Sequence, residues 1–479
     1  MSNKYYRFRT LEKLLDPKFK ELENSTVYFS PPETLNDPQE GYRDIYWEGD
    51  SIVWKNLLKN YVSSLESMTI YWNLIGPKEK LDLDEIDVFR TVVDYPTPQY
   101  TDVIKAIWQR IFSNPSVELL IEHVSHRNTP IRKMELEAYL SMLHPYALQV
   151  IFEEYKSRNL TSLEPNFFVG TDKEFFKNDW FSLFEALNDK ESKIDIEVLF
   201  QVKKSIYEQF QLYVIASREE LRENEEEQYN AIQNRISMIF DFPTAYIKKL
   251  EDLAYPKWYT ACFMTECENA SVWGHYGDNH TGVCLIYESD TDDKLNFELI
   301  SSYSSQTGYM KKMVAIEMKK INYDDNADRS IDFFKSIGRL PKVKLDKYWY
   351  KDEDGRGSPI AAEVGSKEWH DNHWSQFYRD ITIKNEDWAY ENECRAILTS
   401  NIFDYRTVES RCIKYDFKQL KGIIFGVRTP ILDKVKIIKT IEMLCTKHER
   451  EDFEFYQAHY SSKTNKIIHL KMNALKPKD

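Results

Sequence analysis

Thr281-Gly282-Val283-Cys284-Leu285-Ile286-Tyr287 is the stretch on which the fold turns. Its apolar run is continuous rather than alternating, the pattern of a strand buried on both faces. Working outward, Trp258 to Met264 is a second candidate strand, and Ser271 to Asn279 between the two reads as a short helix or turn. Downstream, Lys320-Ile321-Asn322-Tyr323, Glu393-Cys394-Arg395-Ala396-Ile397-Leu398 and Leu420-Lys421-Gly422-Ile423-Ile424-Phe425-Gly426 read as further strands. A helix from about Leu432 to Leu444 and a strand pair near 453–471 finish this half.

The opposite end of the chain has the same character. Tyr5-Tyr6-Arg7-Phe8-Arg9 alternates like a strand, Thr10 can cap a short helix over Leu11, Leu14 and Leu15, and Pro17 stops it. Thr26-Val27-Tyr28-Phe29-Ser30 is β-branched and aromatic, and Pro31-Pro32 and Asn36-Asp37-Pro38 are turn chemistry. Residues 51–250 differ. Ile104, Ile107, Trp108 and Ile111 fall at helical spacing, as do Leu136, Tyr139, Leu140 and Leu143, with Pro145 as the expected stop. The stretch from Ile194 to Met238 is helical in composition, and its charged run Arg218–Glu227 reads as a solvated face. The predicted fold is mixed α+β. A split β-sheet core comes from residues 1–50 and 251–479, with a large all-helical insertion over 51–250 and a smaller insertion near 324–373.

Composition narrows the function classes. Of 479 residues, 42% are hydrophobic and 14% aromatic, ample for packed cores. Glycine numbers only 14, and neither G-x-G-x-x-G nor a P-loop occurs, which disfavours a Gly-rich phosphate cradle. The net charge of −14 opposes nucleic acid unless a local basic patch overrides it, and only the Lys463–Lys478 tail is mildly basic. Lys4 follows Met1 to Asn3 with no apolar leader, and no run of 18 apolar residues exists. A cytoplasmic location without membrane attachment is therefore expected. Cys262, Cys267, Cys284, Cys394, Cys412 and Cys445 form no C-x-x-C pair and read as reduced thiols.

Five segments, taken in order, resemble a bacterial family known as domain of unknown function 2971. They are the strand Tyr5–Arg9, the strand and turn Val27–Pro38, and Cys262-Phe263 followed by Trp273-Gly274-His275-Tyr276-Gly277-Asp278-Asn279-His280-Thr281-Gly282-Val283-Cys284. Asp387-Trp388-Ala389-Tyr390-Glu391-Asn392-Glu393-Cys394-Arg395 and Gly422–Gly426 complete the set. The resemblance covers about 1–50 and 255–470, and the helical insertion has no counterpart in it. It supplies no activity, so the chemistry rests on the residues.

On a strand, Glu391, Glu393 and Arg395 would share one face. Two carboxylates with a guanidinium can orient a ribose hydroxyl or stabilise a cationic transition state. The competing reading is a cross-strand ion ladder. The segment also looks, more distantly, like the Glu-x-Glu strand of ADP-ribosyltransferases. That resemblance implies NAD as substrate, Glu393 as the catalytic carboxylate and Glu391 as its helper. It further implies that Arg7 or Arg9 contacts NAD and that Tyr28, Ser30, Trp273, Tyr276 and Arg395 line the site. His275 is a second candidate catalytic group, because imidazole works near neutral pH. The pairs His275/His280 and His370/His373 lack a third ligand at familiar spacing, so no metal centre is predicted. Asp37 and Glu40 read chiefly as a turn, or else as bordering the cleft of Glu393.

The leading expectation is an ADP-ribosyltransferase-like enzyme consuming NAD, a bacterial toxin or defence effector with a protein or nucleic-acid acceptor. The alternatives are a metal-dependent nuclease built on Asp37, Glu391, Glu393 and Arg395, or a non-enzymatic module whose helical insertion binds a partner protein.

Overall fold

The computed structural model describes residues 3–91, 94–161, 225–289, 293–304, 306, 308–400 and 403–473. The architecture is mixed α+β. The chain divides into two compact units. One comprises Met1–Tyr42, Pro256–Arg329 and Ser375–Asp479, and the other Arg43–Tyr255 and Ser330–Trp374.

The first unit is built on an eight-stranded sheet. In chain order its strands are β1 Lys4–Arg9, β2 Trp258–Met264, β3 Val283–Glu288, β4 Lys319–Lys320, β5 Glu393–Thr399, β6 Leu420–Phe425, β7 Glu454–Ser461 and β8 Lys466–Lys471. Their spatial order is β8-β7-β6-β3-β1-β2-β5-β4. Only β6 and β7 run parallel, and the helix Ile431–Lys447 crosses between them. The N-terminal strand thus sits in the middle of the sheet. It pairs with β3 from Lys4↔Glu288 to Arg9↔Val283 and with β2 at Tyr6↔Met264.

Side chains alternate between the two sheet faces. Val283, Leu285 and Tyr287 join a large core that includes Ile437, Ile441 and Leu444 of the crossing helix. Cys284 and Ile286 join a smaller core around Trp273 and Phe8, whose rings meet edge-on at 4.9 Å. Burial on both faces is why the run in β3 shows no polar alternation, and each such side chain contributes about 1.5–3 kcal/mol. Thr10 caps the short helix Leu11–Leu14 by accepting from the Lys13 amide. Between the helix Ala270–Tyr276 and β3, Asp278, Asn279 and His280 are left-handed, with φ of 49°, 50° and 70°. That turn brings Gly282 so close to β1 that a Cβ there would lie 2.4 Å from the Arg9 carbonyl.

The second unit is mainly helical. Its described helices include Ser51–Ile75, Pro98–Phe112, Pro115–Ser125, Lys133–Ser157, Glu225–Ile236 and Phe242–Leu250. Ile194 to Asn224 of the expected helical stretch, and with them most of the charged run Arg218–Glu227, lie outside the described residues. Asp50 caps the 25-residue helix Ser51–Ile75 by accepting from the Ile52 and Val53 amides. Pro145 does not stop its helix, which continues to Ser157. Buried Leu143, Ala147, Leu148 and Ile151 on both sides of the proline outweigh its missing N–H. A small sheet of Ser330–Asp332, Asp44–Trp47 and Ile131–Arg132 also belongs to this unit. So does most of the segment read from sequence as a looser insertion.

Candidate active site

The start of β5 is shaped by the residue before it. A 3-10 turn, Glu386–Glu391, ends at Asn392, which is left-handed at φ 46°, ψ 51°. Asparagine is one of the few residues that adopt this conformation at small cost. Glu391 is therefore in the turn, not on the strand, yet the reversal brings its carboxylate to the same cation as that of Glu393. That cation is Lys384, from the two-residue strand Ile383–Lys384, which pairs in parallel with Asn322–Tyr323. Tyr323 fastens the corner, its hydroxyl oxygen accepting from the Glu393 amide at 2.8 Å.

Lys384 Nζ lies 2.8 Å from Glu391 Oε2, 3.0 Å from Glu393 Oε2 and 3.1 Å from Glu40 Oε1. Arg395 donates through Nε to Glu393 Oε1 at 2.7 Å, through Nη2 to Glu393 Oε2 at 3.0 Å and Glu40 Oε2 at 2.6 Å, and through Nη1 to the Ile381 carbonyl at 3.1 Å. All five side chains are buried. Three carboxylates face two cations, so the fully ionised cluster carries one negative charge in excess.

Burial pushes the Glu40 carboxyl up, against the pull of the Arg395 guanidinium. Burial also opposes ionisation of Glu393, but Arg395 and then Lys384 override it and hold that carboxyl well below the usual range. For Lys384, burial works against the charge and the carboxylates of Glu393, Glu40 and Glu391 restore it, so its ammonium is held above the ordinary lysine range. The Cys262 thiol is pushed up by burial and by the adjacent Glu393.

A rim of polar and aromatic side chains adjoins this charged floor. Tyr276 donates its hydroxyl to Glu391 Oε1 at 2.6 Å and accepts from the Asn36 amide at 2.6 Å. Burial first, and then Glu391, raises the Tyr276 phenol. His275 Nδ1 and the Tyr390 hydroxyl are 3.0 Å apart. The Trp388 ring lies 6.2 Å from that of Tyr390 and 4.9 Å from Lys384 Nζ. Asn36 and His275 are exposed, whereas Tyr276, Trp388 and Tyr390 are half-buried. Asn269 caps the helix that carries His275 and Tyr276, and its side-chain amide donates to the Tyr390 carbonyl at 3.2 Å, tying the two halves of the rim together.

Glu391, Glu393, Arg395 and Tyr276 thus meet, with His275 on the rim. Trp273 is fully buried and gives its indole N–H to the Cys267 carbonyl at 2.8 Å. Arg7 and Arg9 lie elsewhere. Tyr6 pairs with Met264, and Met264 pairs with Glu393, so Tyr6 shares the face of Glu393 while Arg7 and Arg9 point to the opposite face. Arg7 donates to the Cys262 and Tyr28 carbonyls, and Arg9 pairs with Glu21. The Tyr28 hydroxyl accepts from Arg411 at 2.9 Å, and the Ser30 backbone pairs with that of Thr260. Glu40, one of the two reserve candidates from the turn, enters the cluster. Asp37 instead closes that turn, accepting from the Gln39 amide at 2.9 Å. Lys384 had no distinguishing pattern in sequence. Among the described residues, no group of three or more His, Cys, Asp or Glu side chains is arranged to hold a metal ion.

Residues 272–396 match the family model described as protein of unknown function (DUF2971). The matched segment contains Trp273, His275, Tyr276, Lys384, Glu391, Glu393 and Arg395, but neither Asn36 nor Glu40. No curated protein and no solved structure matches the chain. Among the described residues, no helix is long and apolar enough to cross a membrane.

Proposed function

We propose that the α/β unit is an ADP-ribosyltransferase-like enzyme acting on NAD, with Glu391 rather than Glu393 as the carboxylate that meets the ribose. One observation carries the assignment of roles. Both oxygens of Glu393 are taken by the buried cations Arg395 and Lys384, whereas Glu391 gives only Oε2 to Lys384 and its Oε1 to the half-buried Tyr276 hydroxyl, whose displacement would open that oxygen to the rim.

In this reading, Tyr390 and Trp388 stack on the nicotinamide end, and the excess negative charge of the cluster favours the cationic sugar as the glycosidic bond breaks. The bond's electron pair leaves with nicotinamide. The acceptor's nucleophile then bonds to the anomeric carbon and loses its proton to a base at the rim, for which Glu391 and His275 are the candidates. Arg395 and Lys384 touch no substrate and keep the acids in position. The helices of Arg43–Tyr255, a segment outside the matched residues, recognise the partner or acceptor. A role as a bacterial toxin or defence effector belongs to the same proposal.

The test is nicotinamide release from NAD, with cell lysate supplying acceptors, by the wild type, Glu391→Gln and Glu393→Gln. Release should fall by about 10²–10⁴-fold in Glu391→Gln while the fold is kept. A folded wild type that releases no nicotinamide with any acceptor overturns the NAD reading and returns the nuclease and the binding module to first place.

A further inference from the structure

The centre of the carboxylate cluster is not empty: an ammonium fills it. Glu40, Glu391 and Glu393 come from a turn near the N-terminus, a 3-10 turn and a strand, yet each aims one oxygen at Lys384 Nζ from 2.8 to 3.1 Å. The lysine side chain is 2% exposed and those of the three acids no more than 1%. Glu40 Oε1, at 3.1 Å, completes the ring of carboxylate oxygens around the ammonium. Oxygen donors from several carboxylates converging on one point make the kind of donor set that hard divalent cations use, at about 2.0–2.6 Å. Nζ stands at the point on which these three oxygens converge, while Arg395 engages Glu393 and the other oxygen of Glu40 from the side.

We propose that Lys384 is the resident cation of a three-carboxylate cage, standing where a divalent metal ion would otherwise bind, and that it positions Glu391 without metal. Lys384 is then a positioning residue. Its charge organises the floor, and its removal converts the floor into a metal site. The inference does not depend on which ligand meets the rim, so it survives or fails separately from the NAD reading.

Its test uses the full chain and Mn²⁺ as probe, read by thermal unfolding and by the electron paramagnetic resonance signal of free Mn²⁺. The wild type should show no change in midpoint between chelator and Mn²⁺. Lys384→Ala should unfold at a lower temperature in chelator, take up one Mn²⁺ and regain about 5 °C. The double variant Lys384→Ala/Glu391→Gln should lose that response. Lys384→Met, which fills the space without charge, should be destabilised and indifferent to Mn²⁺, separating lost charge from lost volume. A wild type whose Mn²⁺ uptake disappears in Glu391→Gln overturns the proposal. So does a Lys384→Ala chain that Mn²⁺ restores neither to a higher midpoint nor to solubility.

Discussion

The excess negative charge of the buried cluster ranks the substitutions within it. Arg395→Met deepens the imbalance from one unpaired carboxylate to two and strips Glu393 of its two-pronged partner. Glu393→Gln removes the imbalance and keeps an amide in place. Breaking a buried pair by deleting one partner costs about 3–5 kcal/mol. Arg395→Met is expected to reach that range and Glu393→Gln to stay below it. Urea midpoints of the two variants check this, and an equal or reversed cost contradicts the charge count. The same residues show where sequence reasoning stops. The alternation rule grouped Glu391, Glu393 and Arg395, and they do meet, but through the left-handed Asn392 rather than a shared strand face. Lys384 was not legible because its meaning comes from Glu40, far away in the chain, and from the fold of a turn. The facing of Arg7 and Arg9 depended on the register of β1 against β2, which no local pattern encodes.

At the level of elements, the helix Lys367–Asp380 carries a titrating group into a dry setting. His373 is sandwiched between Tyr255 at 4.4 Å and Trp369 at 4.8 Å, both nearly parallel to it, and a Cβ on Gly338 would strike its ring. Burial lowers its pKa from 6.5 to about 4, with His370 and Arg43 adding repulsion. The folded state therefore resists protonation. The stability of this packing is full above pH 6.5 and declines as pH falls toward about 4, where it levels off. Asp332 acts in the opposite sense: burial raises its pKa from 3.8 to about 7, so its contribution weakens as pH rises through that interval. His373→Phe isolates the histidine. The stability lost by wild type relative to this variant should grow as pH drops from 6.5 and stop growing below about 4, as followed by thermal midpoints across that range. A constant gap contradicts the assignment. Element identity was otherwise the most legible level. The continuous apolar run gave β3, Thr10 gave a helix cap, and alternation gave β1, because each signal is local. Pro145 misled because packing on both sides of it outweighs a local rule.

For the whole molecule, the decisive fact is that β1 is interior to the sheet. Deleting residues 4–9 removes the strand that joins β3 to β2 and so cuts the sheet in two. The deleted chain is expected to lose the α/β unit cooperatively rather than fray at one end. Limited proteolysis that still yields a resistant α/β fragment would contradict this. The position of β1 also sets a timetable for synthesis. Its partner strands are made about 250 residues after it, beyond the helical unit's main segment. At ribosomal rates of about 5–20 residues per second, the first strand waits roughly 12–50 s for a neighbour. During that interval Tyr5, Phe8 and both strand edges are open to solvent and to other nascent chains. The interval gives holding chaperones a reason to bind this strand, and it makes the spacing of ribosomes on the message a variable in the yield of folded protein.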